Sequence, residues 1–386
     1  MNTDYNLDAG LSGAHRALEA LEALDALKTS VGTTEDENTL RIALMSLEDL
    51  TDQYGLTHQR ASLEQAELKS SFSQRISALM QEAWQALVKF LKWITKVINE
   101  AIVDSSLRTE SVAAGFANTR SVFENNRKQG KFKAPSAGRL NNRRILTRLS
   151  IGEGIEFNAL IAGVGFLNTL TDKLERYSNR EIRKLKRFNL AAAVTNIESE
   201  ENYELPTLTP FDASQKKVDT KELVARGFSG NVLGLQSRVL PGNKCFLYVY
   251  QDPDVSESKT NSRYGLYFTD VTPEAEEKTS PALAVFAALN DHEMMQLLMI
   301  TQGLVNTIRQ NDTSLREIRR VAEQLARSVE NAKNAALSQE EIKDIKNTLV
   351  STIRSLAVCG TEYRRYSLNV VEAIAAYVRL SMDKYK

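Results

Sequence analysis

The chain has 386 residues, 49 basic and 49 acidic, so its net charge is zero, and its 42% hydrophobic and 25% charged composition is that of a folded globular protein. That length allows two or three domains around a large core, and only 7 prolines exclude a Pro-rich disordered string and favour long helices. Two cysteines, Cys245 and Cys359, leave one pairing open, and two buried thiols in a reducing compartment is the better-fitting reading.

The zero net charge conceals a split. Residues 1–64 carry 12 acidic and 4 basic side chains, a net of −8, and the remainder carries 45 basic and 37 acidic ones, a net of +8. An acidic head on a basic body is the asymmetry that most needs a reason.

The N-terminal stretch MNTDYNLDAGLSG lacks the basic and apolar regions of a signal peptide, which predicts synthesis and retention in a cytoplasm. From Ala17 to Leu27 the chain is built of strong helix formers at a period of three, so its leucine stripe should drift around the axis. A second helix is predicted from about Asp36 to Asp52, stopped near Tyr54-Gly55-Leu56. A long third helix begins near Thr57 and runs through Trp84–Ile102. There, at about 100° per residue, Trp84, Leu87, Val88, Leu91, Ile94, Ile98 and Ile102 share one stripe. Phe90, Trp93 and Val97 widen it to most of the cylinder. Such a helix must be buried in a helical core or laid on a partner, and Trp84, Leu87, Phe90, Leu91, Trp93, Ile94 and Ile98 are the candidate interaction face. Its recurrent lysines exclude a membrane span, which needs about 20 apolar residues, while an interfacial helix stays open as an alternative.

A basic, Pro-containing loop, Gly130–Gly138, breaks this helix. Around it, nine basic residues from Arg120 to Arg148 face a single acid, Glu124. Arg127, Lys128, Lys131, Lys133, Arg139, Arg143, Arg144 and Arg148 are candidate contacts to a nucleic-acid backbone, which would hold the polyanion without reading its bases. A solvated helix face and loop is the competing reading of the same residues. Another helix is predicted over roughly 153–194. Between Ser199 and Pro281 the pattern turns β-like, with strands at Val232–Leu240, Cys245–Gln251 and Tyr264–Val271 and a tight turn at Pro241-Gly242-Asn243. Both faces of the middle strand are apolar, so the sheet should pack on helices on at least one side. Ser280-Pro281 reads as a helix start, and Ser314 with Glu317 and Ser338 with Glu341 as capping boxes. Helices near 281–310, 314–336, 338–358 and 362–384 follow.

The expected fold class is mainly α with a small antiparallel β insert (α+β), its long helices packed as a bundle. Four regions are expected: an acidic head at 1–64, a helical domain at 65–200, a β-rich insert at 201–280 and a helical bundle at 281–386.

Catalytic patterns are missing. His15, His58 and His292 are scattered, without donors at metal-ligand spacing. Gly163-Val-Gly165 sits in a helical stretch without the preceding strand or third glycine of a dinucleotide site, so close helix packing is its expected use. Gly227, Gly230 and Gly234 are spaced like loop and bulge glycines, with no Gly-Lys-Ser/Thr after them. The expectation is a non-enzymatic protein without metal or cofactor.

Three features carry a resemblance: the acidic helical head at Ala14–Leu27 and Leu40–Leu50, the Trp/Lys helix Trp84–Ile98, and the helical tail Ser367–Tyr385. Together they resemble the internal head proteins of giant tailed phages of the phiKZ type. The resemblance implies a virion protein of the capsid interior, made in the host cytoplasm, packaged with phage DNA and other internal head proteins, and possessing a propeptide. It also implies a maturation protease that cuts after a small residue, any residue, then glutamate. Ser62-Leu63-Glu64 and Ser46-Leu47-Glu48 offer that tripeptide in the head. A helical adaptor, and an injected effector binding a host protein through the β insert, are the alternatives.

Overall fold

The computed structural model describes residues 7–31, 37–54, 68–132, 138–187, 216–225, 232–251, 265–271, 285–310, 316, 320, 323, 327 and 358–385. It is mainly α-helical with a small antiparallel sheet. The chain divides into two compact units, one comprising Met1–Asn99, Arg183–Asn202 and Arg319–Ile353, the other Glu100–Ile182, Tyr203–Ile318 and Arg354–Lys386.

In the first unit, α1 (Leu7–Val31) and α2 (Glu37–Tyr54) pack on each other. The leucine drift is visible in α1. Leu21 and Leu24 are buried, but a period of three loses about 60° per step on a helix, and Leu27 is only half-buried. Ala43, Leu44 and Leu47 form the inward face of α2. The next helix, α3 (Leu68–Lys128), begins in this unit. Phe72, Ile76, Leu79, Ala83 and Leu87 are buried along it at steps of four, three, four and four, the spacing of a continuous apolar seam.

Helix α3 continues into the second unit and stops where the sequence predicted a break. Gly130 takes φ +67°, Gly130 N–H donates to Arg127 O (2.9 Å) and Lys131 N–H to Asn126 O (3.1 Å). This paired 5→2 and 6→1 pattern satisfies carbonyls that the helix end would otherwise leave open. Phe132 then stacks on Phe123 of the same helix, ring centroids 5.4 Å apart.

Three elements here were not expected. Strand β1 (Arg139–Asn141) pairs antiparallel with β6 (Val285–Ala287), so the stretch around 285 is extended where a helix from about 281 was predicted. Three-residue strands paired across such a sequence distance leave no period to read. A seven-residue helix, α4 (Arg143–Leu149), follows β1 and buries Ile145 and Leu149. Helix α5 (Phe157–Arg187) then presents Leu160, Val164, Leu167, Leu170 and Leu174 to the core.

The sheet runs β2 (Lys216–Val218), β3 (Val232–Gln236), β4 (Lys244–Gln251), β5 (Gly265–Asp270), each antiparallel to its neighbour, with α6 (Thr220–Ala225) between the first two in chain order. Strand β3 is shorter than predicted because the Phe246 N–H turns to the Ser237 hydroxyl (3.0 Å) where a ladder carbonyl would otherwise accept it. Alternation along β4 decides the packing. Phe246 and Tyr248 join the main core with Leu266, while Leu247 and Val249 join Val218 and Leu223 in a second cluster beneath α6. The expected bulge glycine, Gly234, sits instead in regular register opposite Val218 and Val249. A Cβ there would come within 3.2–3.3 Å of Leu223, Leu247 and Val218, so small size is what the site needs.

After β6, α7 (Asp291–Gln310) begins with a reciprocal cap: Glu293 N–H donates to Asn290 Oδ1 (2.9 Å) and Asn290 N–H to Glu293 Oε2 (2.8 Å). This moves the start ten residues past the predicted Ser280-Pro281, which lies outside the described residues, as do the boxes at Ser314 and Ser338. Residues 358–362 form a π-turn that leads into α8 (Tyr363–Met382).

Helix α8 is buried on nearly every side by Leu368, Val370, Val371, Ile374, Ala375, Tyr377 and Val378. Its tyrosines hold the surrounding elements. Tyr363 donates to Leu167 O on α5 (2.9 Å), Tyr366 to Pro241 O (2.7 Å) and Tyr377 to Ala287 O on β6 (2.7 Å). Just beyond the helix, Tyr385 donates to Leu289 O (3.3 Å). Pro241 belongs to the tight turn, which locks onto the 150–152 turn: Gly242 N–H donates to Ser150 O (2.7 Å), and Asn243 exchanges two hydrogen bonds with Gly152 at 2.7 and 2.9 Å. Gly163 of α5 lets this turn approach, since a Cβ there would lie 2.8 Å from Ile151 Cδ1 and 3.3 Å from Pro241.

Gly242 holds φ +75° with Thr147 O only 3.0 Å from where a Cβ would stand. Gly242→Ala is therefore expected to cost about 1–3 kcal/mol, read as a lowered urea midpoint at unchanged m-value. The phenols give a second expectation. Burial pushes Tyr363, Tyr366, Tyr377 and Tyr385 upward, with Thr171 opposing the rise at Tyr363 and Glu293 adding to it at Tyr377. An unfolded chain loses these protons near pH ~10, while the folded chain keeps them. Their stabilisation is thus complete below about pH 10 and falls as pH climbs above it. Denaturant midpoints measured from neutral to strongly alkaline pH should show this fall, and Tyr377→Phe should reduce its slope.

Candidate functional site

Helix α4 turns the basic stretch into a surface. Asn142 caps it, its side chain accepting from Ile145 N–H at 3.0 Å. With Ile145 and Leu149 buried, Arg143 and Arg144 are exposed and Arg148 half-buried. Arg139 projects from β1 into solvent.

The nine basic residues do not behave alike. Arg120 is held by Glu124 (2.9 Å), and Arg127 by Asp291 (3.3 Å). Lys131 donates to Asn126 Oδ1 (3.2 Å), and Lys128 is exposed. Lys133 lies outside the described residues. Arg148 pairs with Glu372 of α8 (3.3 Å), and so does Arg108 of α3 (3.0 Å), which also donates to Asn369. One carboxylate thus serves two guanidinium groups. Burial lowers the Arg148 pKa from its usual value, repulsion from Arg144 and more weakly from Arg108 lowers it further, and Glu372 opposes both. The cluster of Arg108, Arg144, Arg148 and Glu372 keeps an excess of positive charge on a partly solvated surface.

Sequence reasoning found Arg144 and Arg148 but missed Arg108 and Glu372. Arg108 lies in the run Ser105–Ser111 and Glu372 in an Ala/Val-rich helix, and only the packing of α8 on α4 and its ion pair with α3 bring them together with Arg148. Another missed group is Arg364, whose buried guanidinium donates to Thr109 Oγ1 at 3.0 and 3.2 Å.

The candidate interaction face lies largely inside the first unit. Trp84 and Leu87 are buried, Phe90 is half-buried, and Trp93 is 37% exposed. The helix covers Leu91, Ile94 and Ile98, whose side chains lie outside what is described. Of the two candidate processing sites, Ser46-Leu47-Glu48 sits within α2 with Leu47 buried, so a cut there requires local unwinding. Ser62-Leu63-Glu64 lies outside the described residues.

His292 is exposed on the first turn of α7 with its Nε2 2.9 Å from Gln296. Neither cysteine is in a disulfide: Cys245 is buried as expected, whereas Cys359, in the π-turn before α8, is half-buried. Among the described residues no group of three His, Cys, Asp or Glu gathers at metal-binding distance, and no helix is long and apolar enough to cross a membrane. Gly163 and Gly165 both serve packing, Gly165 against Ile300 at 3.2 Å from a notional Cβ.

No family model, curated protein or solved structure matches this chain.

The arginine surface depends on α4 holding its short helical form. Removing its cap by Asn142→Ala is expected to cost about 1 kcal/mol, measured as a shift of the thermal unfolding midpoint. Asn142→Asp should retain most of that stability.

Proposed function

We propose that this chain is a non-enzymatic, DNA-associated protein of a phage head interior. In this reading it is packaged with the genome beside other internal head proteins and trimmed by the phage maturation protease. The acidic residues 1–64 are a detachable mask on a basic remainder. The observation that carries the reading is the charge partition, −8 against +8 across residue 64. A structural fact supports it: among the described residues, the main hydrophobic cluster of the second unit draws its buried side chains from Val112 to Met382 and none from the head. Loss of 1–64 would therefore remove no described side chain from that cluster. Self-repulsion in the exposed basic body would then be relieved by the phosphates of the enclosed genome.

Cleavage after Glu64 suits the reading better than cleavage after Glu48, because it removes the whole −8 head and leaves the +8 remainder. A second reading, a helical adaptor, is favoured by the exposure of Trp93, an apolar residue of the candidate interaction face. An adaptor would keep its head and form a defined complex.

Mass spectrometry of purified virions tests the proposal. The protein should be present and should begin near Gln65; an intact chain found only outside particles would overturn the reading. In vitro, a variant lacking 1–64 should bind duplex DNA on the order of tenfold more tightly than the full chain at low salt, with the gap closing as salt rises. Equal affinity would remove the masking role.

A further inference from the structure

The basic stretch supplies charge, but its residues differ in how much of that charge is already spent on protein carboxylates. Arg120 and Arg127 each have an acid of their own, Glu124 and Asp291. Arg108 and Arg148 share one, at 3.0 and 3.3 Å from the same Glu372 oxygen. Arg144 stands one helical turn before Arg148, close enough to lower the Arg148 pKa, and is exposed. Three cations and one anion leave a local excess of two charges, gathered from α3, α4 and α8.

The geometry has a further property. Arg108 and Arg148 are about a quarter exposed, at 27% and 25%, and Glu372 is 36% exposed, so a ligand reaches them without unfolding. A carboxylate that binds two guanidinium groups imitates a phosphate oxygen in charge and in hydrogen-bonding geometry. It also holds their long side chains in place, so less rotamer freedom is lost when an anion arrives.

We infer that Arg108, Arg144 and Arg148 form the centre of the phosphodiester-binding surface, with Glu372 acting as an internal competitor that positions the arginines and limits affinity. The inference rests on the DNA-associated reading above and narrows it from a stretch of sequence to one three-helix junction. A phosphate would sit against Arg144 and the outward N–H groups of Arg108 and Arg148. Asn369, which accepts from Arg108, keeps that guanidinium turned toward the junction. Because the contacts are to the backbone, binding should ignore base sequence and weaken with salt.

The test uses the full chain and a short fluorescently labelled duplex, titrated by anisotropy over a series of salt concentrations. Arg144→Ala is expected to weaken binding by roughly five- to tenfold at low salt and to reduce the magnitude of the salt slope by about 1. Arg144→Lys should recover most of the loss. Glu372→Gln should tighten binding several-fold, because it removes the competitor and keeps the side chain's shape. A merely structural Glu372 would instead lower the thermal midpoint without tightening binding, and that outcome overturns the inference. Inorganic phosphate should compete only at high concentration if a polymer is the ligand; equal potency of free phosphate and duplex, compared per phosphate, would overturn the nucleic-acid assignment. If the wild-type chain binds duplex in a salt-dependent way, yet the Arg144 and Glu372 variants match it while Lys128→Ala and Lys131→Ala lose affinity, this inference fails alone. No wild-type binding at low salt would sink it together with the reading on which it rests.

Discussion

The second unit depends on helix α8. It contributes buried side chains on nearly every turn, and at ~25 cal/mol per Å² such apolar burial is the largest favourable contribution available to a helix of this length. Apolar packing alone does not fix rotation or depth, because Val, Ile and Ala side chains accept many similar arrangements. The phenols remove that freedom. Tyr363, Tyr366 and Tyr377 each donate to a backbone carbonyl of a different neighbour, so a change of register would leave several buried oxygens and hydroxyls unmatched at once. The tight turn at 241–243, the β1–β6 pair and α5 take their positions relative to one another from this single helix.

The arginine junction is a by-product of the same arrangement. Glu372 lies on the half-buried side of α8, where α4 and α3 meet it. The helix that organises the core thus also decides which basic side chains converge. Charge density in the sequence and charge density in space differ for this reason. The stretch from Arg120 to Arg148 is basic but for Glu124 when read along the chain, yet Arg120 and Arg127 are individually paired, whereas Arg144 stands one turn from Arg148, which shares its acid with Arg108. Partial exposure keeps these interactions modest and sensitive to salt.

Much of the architecture could be read from residue order, and the exceptions have clear physical causes. Long amphipathic segments announced themselves: α1, α2, α3, α5 and α8 fall where apolar residues recur at helical spacing. The β3–β4 hairpin was legible because Pro-Gly-Asn chemistry fixes its turn and β-branched and aromatic residues flank it. Close helix packing was expected of Gly163 and Gly165: Ile300 of α7 meets Gly165, whereas Gly163 makes room for the turn residues Ile151 and Pro241. Short elements escaped notice. Strands β1 and β6 exist only because each has the other, and α4 is a two-turn helix whose Asn142 cap is a common residue in an unremarkable context. Of the candidate site, the arginines of α4 were legible from charge alone. Arg108 and Glu372 were not, since their role comes from a contact between elements hundreds of residues apart in one case.

Chain order gives the placement of α8 a temporal meaning. Everything that it closes over in the second unit is made before it, and a ribosome releases roughly 5–20 residues per second. From the completion of α5 to the appearance of Tyr363–Met382, the apolar faces of α5, β4 and α7 therefore wait on the order of ten seconds or more without their main cover. The α1–α2 pair meets its partner within a few residues and can settle early. A nascent chain of this design spends most of its synthesis with a finished acidic leading end and an unfinished, adhesive middle.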